Sequence, residues 1–181
     1  MLSFLRNIIQ LILSPAHGWE EISYEGDSAE RLAARGMYPL MAIVAVSEFA
    51  QGIYAKTIEL GALLQSAIAQ FCSLLAAYYI GVALFDVFIG RMSTSEVSAN
   101  KIRTIAIYTV SLLSLIQIIE NLVPIEIIIL RFLPAFVAIV LWRAKAYLSI
   151  SKEKEGIYIL FAISALIIPW FIVKTLLTFI L

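Results

Sequence analysis

Histidine and cysteine each occur once in this 181-residue chain, as His17 and Cys72, and aspartate only twice, as Asp27 and Asp86. These shortages exclude chemistry. One histidine cannot supply a histidine-based metal centre, and it falls outside the apolar stretches, so a Ser–His pair would have to act outside a bilayer. A single cysteine forms no intramolecular disulfide and reads as a structural thiol. Two aspartates, one in a polar stretch and one at the end of an apolar run, do not make a facing aspartyl pair. The Glu-Glu-x-x-x-Arg motif of intramembrane glutamate proteases fails because Glu20-Glu21 is followed by Glu25 at the arginine position. There is no glycine-rich phosphate loop. Charge is scarce too: 14% of residues are charged, against about a quarter in a typical soluble domain. Net charge is zero, with 13 basic and 13 acidic residues, so nucleic acid is not an expected partner.

What is abundant is apolar. Hydrophobic residues make up 62% of the chain and the mean hydropathy is +0.96. A soluble domain of this length cannot hide so much apolar surface, so lipid is the main solvent. Crossing the hydrocarbon takes roughly 20 mostly apolar residues. Stretches of that size lie at about 36–55, 61–89, 102–122, 125–142 and 156–181. The expected fold is therefore all-α, a bundle of five transmembrane helices occupying 36–181. The second stretch overshoots the bilayer, which places Asp86 near an interface. The fourth is the weakest, because Arg131 interrupts it and Pro124 and Pro134 restrict its helix.

Charge distribution orients the bundle. With five crossings and the amino terminus inside, the cytoplasmic segments hold Arg6, Arg31, Arg35, Arg91, Lys101, Arg103, Arg143, Lys145, Lys152 and Lys154. Lys56, Arg131 and Lys174 fall elsewhere. Ten against three follows the positive-inside rule. The expected location is the inner, cytoplasmic membrane with the carboxyl terminus outside. A re-entrant fourth segment would put Arg143, Lys145, Lys152 and Lys154 on the wrong side.

Residues 1–35 do not read as a span. Ser3, Arg6, Asn7 and Gln10 recur at steps of three and four, while Leu2, Phe4, Leu5, Ile8, Ile9, Ile12 and Leu13 cover the remaining surface. This pattern predicts an amphipathic interfacial helix anchored by Arg6. No small-x-small cleavage site follows, so it is not read as a signal peptide. Ser14-Pro15 reads as a cap and first turn of a second short helix, with Trp19 at the headgroups. The acidic stretch Glu20, Glu21, Glu25, Asp27 and Glu30 reads as a solvated face. Gly26-Asp27 marks a turn before Ser28 opens the next helix.

The order of these features resembles the Yip family, and within it the bacterial members of Bacteroides type. The resemblance rests on Ser14-Pro15-Ala16-His17-Gly18-Trp19-Glu20-Glu21-Ile22 after an amphipathic opening, and on Tyr38-Pro39 entering the first span. Asn121-Leu122-Val123-Pro124, Trp142-Arg143-Ala144-Lys145 and Ile168-Pro169 extend it over nearly the whole chain. It implies a five-helix membrane fold with a cytoplasmic amino terminus. The Asp-Leu-Tyr-Gly-Pro and Gly-Tyr-rich signatures of the eukaryotic branch are missing, so that branch's link to Rab GTPases and vesicle traffic is not carried over.

Ionisable residues within the spans are the candidate site. Glu48 lies about two-thirds outward along the first span, Arg131 enters from the outer end of the fourth, and Lys174 lies in the outer part of the fifth. An unpaired charge near mid-bilayer costs about 2.5–3.5 kcal/mol on insertion scales. Glu48 is therefore expected to pair with Arg131, with Lys174 close by and Glu120 and Glu126 at the rim. Ser47, Gln51, Thr104, Tyr108, Ser111, Ser114 and Gln117 are expected to line the same interior. The cluster reads either as an ordering ion pair or as a binding site or ion path. Ser73, Ala77 and Gly81 allow close helix approach, inside the bundle or between two copies.

No catalytic residue, metal ligand or cofactor is expected. The first functional reading is a non-enzymatic, membrane-organising or partner-recruiting protein whose partners are the bilayer, anionic lipids and a protein not named by the sequence. The second is a small transporter or channel using Glu48, Arg131 and Lys174, with a homo-oligomer enclosing the path. An intramembrane enzyme has the least support.

Overall fold

The structure, a computed structural model, describes residues 2–54, 59–123 and 132–180. Seven helices account for most of them, and among the described residues the only strand-like feature is one antiparallel bridge, Ser93 to Ile150. The chain is an all-α membrane protein. Helix α1 is Leu2–Leu13 and α2 is Pro15–Glu25. Helix α3 is Ala29–Tyr54, with a π-helical turn at Ala33–Met37. Helix α4 is Leu60–Phe88 and α5 is Ala99–Leu122. Helix α6 is Leu133–Arg143. Helix α7 joins Glu155–Ala162, a π-helical turn Ile163–Ile167, and Ile168–Ile180.

Four of these helices, α3, α4, α5 and α7, are long and apolar enough to cross a membrane. The fourth expected span is described only as α6, whose 11 residues rise about 16 Å, half the hydrocarbon thickness. Most of its earlier part, residues 124–131, lies outside the described residues.

Helix α5 is the spine. It is the most enclosed of the four long helices, with 78% of its apolar window buried, against 33% for α7 and 39% for α4. Those outer helices turn large apolar side chains outward, among them Leu64, Ile68 and Ile80 on α4 and Leu160, Phe171, Leu176 and Phe179 on α7. In water such a belt would drive aggregation; in lipid it is the solvent-facing surface. Cys72 and Asp86 are both exposed on α4, Asp86 near its carboxyl end.

One end of the bundle is stitched together by hydrogen bonds. Asn100 Oδ1 accepts from Ala29 N at 2.7 Å, Arg103 donates to Glu30 at 2.8 Å, and Lys101 Nζ donates to the Tyr147 carbonyl at 3.2 Å. Thr94 N and Oγ1 both donate to the Ser149 carbonyl, at 2.9 and 3.0 Å. These bonds hold Ser149 at φ 55°, a left-handed conformation uncommon for a residue other than glycine. Lys154 donates to the Arg91 carbonyl at 2.5 Å. The connections around residues 91–101 and 143–155 therefore share an end with α1 and α2, and ten of the lysines and arginines gather there. Val123 and Arg143 sit at opposite ends of the bundle, because Asn121 bonds the far half of α3 while Val140 bonds α2.

Turn chemistry follows the sequence with one exception. Ser28 Oγ accepts from Arg31 N at 3.4 Å, and Gly26 adopts φ 59° to end α2. Pro15 occupies the first turn of α2, but the Ser14 side chain does not cap it. Ser14 continues the α1 ladder, its N donating to the Gln10 carbonyl at 2.8 Å, and its backbone is consequently turned away from cap geometry.

The small residues Ser73, Ala77 and Gly81 are all buried within the bundle, so the stripe serves an internal contact. A Cβ on Gly81 would fall 2.2 Å from Leu166 Cδ2 and 3.3 Å from the Ala165 carbonyl, within the π-helical turn of α7. Gly81→Ala is expected to destabilise the protein by about 1–3 kcal/mol through overpacking. Leu166→Ala in the same chain should recover part of that loss, read as thermal midpoints in detergent. Additive losses in the double variant would show that the two positions do not meet.

Candidate functional site

In the bundle interior, α3, α4, α5 and α7 bring polar side chains to one level. Glu48 is 2% exposed, and its Oε2 accepts from Gln51 Nε2 at 3.1 Å. The same amide donates to Asn121 Oδ1 at 3.1 Å, and Gln117 Nε2 donates to that oxygen at 3.1 Å. Asn121 Nδ2 donates to Ser47 Oγ at 2.9 Å, and Ser47 in turn donates to the Val44 carbonyl at 2.7 Å. Lys174 Nζ donates to Gln117 Oε1 at 2.7 Å and lies 5.3 Å from the centre of the Trp170 ring. Gln70 of α4 is 6% exposed and faces the Glu48 carboxyl group.

The arrangement follows from helical spacing. Ser47, Glu48 and Gln51 share one face of α3, and Gln117 and Asn121, one turn apart, share one face of α5. Where lipid replaces water, amides are suited to the task because each both donates and accepts. Asn121 is the hub, joined to Ser47, Gln51 and Gln117. Lys174 reaches the cluster through a neutral amide, and Glu48 and Glu120 act on it through space. Two buried acceptor atoms, Glu48 Oε1 and Gln70 Oε1, have no hydrogen-bond partner among the described residues.

Of the residues expected in this cluster, Glu48 and Lys174 are brought together with Glu120 within electrostatic range of both. Arg131 and Glu126 lie outside the described residues, and with them the expected Glu48–Arg131 pair. Asn121 and Gln70 had not been assigned to the site. The signal available was an amide in an otherwise apolar span, which lacks formal charge but still needs a partner. Ser111 and Ser114 contribute little, since their hydroxyls donate back to the Ile107 and Val110 carbonyls of their own helix. Thr104 and Tyr108 belong to the other end of α5, with α1, α2 and Tyr147.

The amino-terminal helices correct two expectations. Trp19 is not at the headgroups: it is 2% exposed, its Nε1 donates to the Val140 carbonyl at 2.9 Å, and its ring stands edge-on to Tyr108. A buried indole requires such a partner for its N–H. Asn7 is not on the water-facing side. It is 1% exposed and donates to Glu25 at 2.5 Å and to the Tyr108 hydroxyl at 3.2 Å. Arg6 is exposed and pairs with Glu25, so its first partner is a carboxylate of α2. The acidic stretch is partly engaged: Glu25 by Arg6 and Asn7, Asp27 by Arg31 at 3.2 Å, Glu30 by Arg103. His17 is exposed beside Glu20 and Glu21.

Among the described residues, no three histidine, cysteine, aspartate or glutamate side chains converge in a way that could hold a metal ion. Comparison with family models, with curated proteins and with solved structures found no match.

Asn121→Leu is expected to remove three interhelical or same-helix bonds at once. At about 0.6–1.7 kcal/mol for an interhelical bond in a membrane, it should lower the thermal midpoint in detergent clearly more than Ser111→Ala, whose hydroxyl bonds only its own helix. Equal effects would mean that Asn121 does not join the helices.

Proposed function

We propose that the protein is a non-enzymatic, Yip-like membrane protein that acts at the cytoplasmic surface, organising the bilayer or recruiting a partner there. On this reading the chain crosses the inner membrane five times, with the amino terminus in the cytoplasm and the carboxyl terminus outside. The observation that carries it is the three-sided character of α1. Phe4, Asn7, Ile8 and Leu11 face the bundle. The Phe4 ring stacks on Tyr108 at 5.2 Å and closes against Gly36, where an added Cβ would fall 2.5 Å from the ring. Ile9, Ile12 and Leu13 point away from the protein, Leu13 being 76% exposed. Ser3, Arg6 and Gln10 form a polar third side.

A helix free to float on a membrane needs only two faces. One with a protein face, an apolar face and a polar face suits a fixed seat at the interface, with Ile9, Ile12 and Leu13 in the acyl region. The lysines and arginines gathered at the same end supply attraction to anionic lipid.

Nitroxide labels on Ile9→Cys and Leu13→Cys, in a Cys72→Ser background reconstituted into anionic vesicles, should be relaxed more by oxygen than by a water-soluble nickel chelate. A label on Ser3→Cys should show the reverse. Chelate-dominated relaxation at positions 9 and 13 would remove the interfacial seat. In oriented membranes, Lys152→Cys should react with an impermeant thiol reagent only from the cytoplasmic side.

A second reading, a small transporter or channel using Glu48, Arg131 and Lys174, is favoured by two acceptors, Glu48 Oε1 and Gln70 Oε1, that have no hydrogen-bond partner among the described residues. It expects ion or solute flux in reconstituted vesicles that falls at least about tenfold in Glu48→Gln, the scale of losing one charge-assisted contact. Vesicles with no flux above protein-free controls would dispose of it.

A further inference from the structure

We draw no further inference here: the strongest candidate, the buried side-chain cluster of Glu48 on α3 and Gln70 on α4, belongs to the site already described.

Discussion

Inside lipid a polar side chain has no solvent to turn to, and the arrangement of this protein depends on how α5 meets that constraint. Few of its side chains reach the surface, yet it carries Thr104, Tyr108, Thr109, Ser111, Ser114, Gln117 and Asn121, all buried. The serines solve the problem locally, by bonding the preceding turn. The amides cannot, and they reach to neighbours. Gln117 and Asn121 thereby tie α5 to α3 and α7, while Tyr108 receives Asn7 and ties it to α1. The surrounding helices take their positions around these bonds, with apolar packing filling the rest.

Much of the scaffold was legible because hydropathy reports directly on the solvent. A run such as Gly61 to Ile89 can be satisfied only by lipid or by a bundle core, and α3, α4, α5 and α7 fall where four of the five apolar stretches lie. The common end of the basic residues was legible from their spacing along the chain. The fourth stretch was the weakest in sequence, and the structure describes it only from Phe132 onward.

Less legible was which neighbour each polar or aromatic residue would meet. Trp19 and Asn7 were read against a two-sided choice between membrane and water, where tryptophan belongs at headgroups and asparagine in water. The structure has a third surface, the protein itself, and both residues turn to it. Periodicity could not reveal this, because Asn7 sits between the apolar positions Phe4, Ile8 and Leu11 at helical spacing and differs from them only in needing partners. Those partners, Glu25 and Tyr108, are 18 and 101 residues away. The same reason hid Gln70 and Asn121: formal charge marks a residue in an apolar run, while a neutral amide passes as a tolerated interruption. In the cluster itself the neutral amides Gln51, Gln117 and Asn121 take part in most of the described bonds.

The two ends of α5 differ in a way that bears on where a ligand would act. At the Asn121 end, side chains fill the space and bond one another in sequence from Lys174 through Gln117 and Asn121 to Gln51 and Glu48. A solute entering there must break bonds that lipid cannot replace, which is a steep requirement in a medium of low dielectric. At the Thr104 end the walls stand apart around a pocket of about 150 Å³, and the helix ends of α2 and α5 oppose one another in sign. That asymmetry argues for the Asn121 end as the part that holds the bundle and leaves the end that carries α1 and α2 the more open of the two.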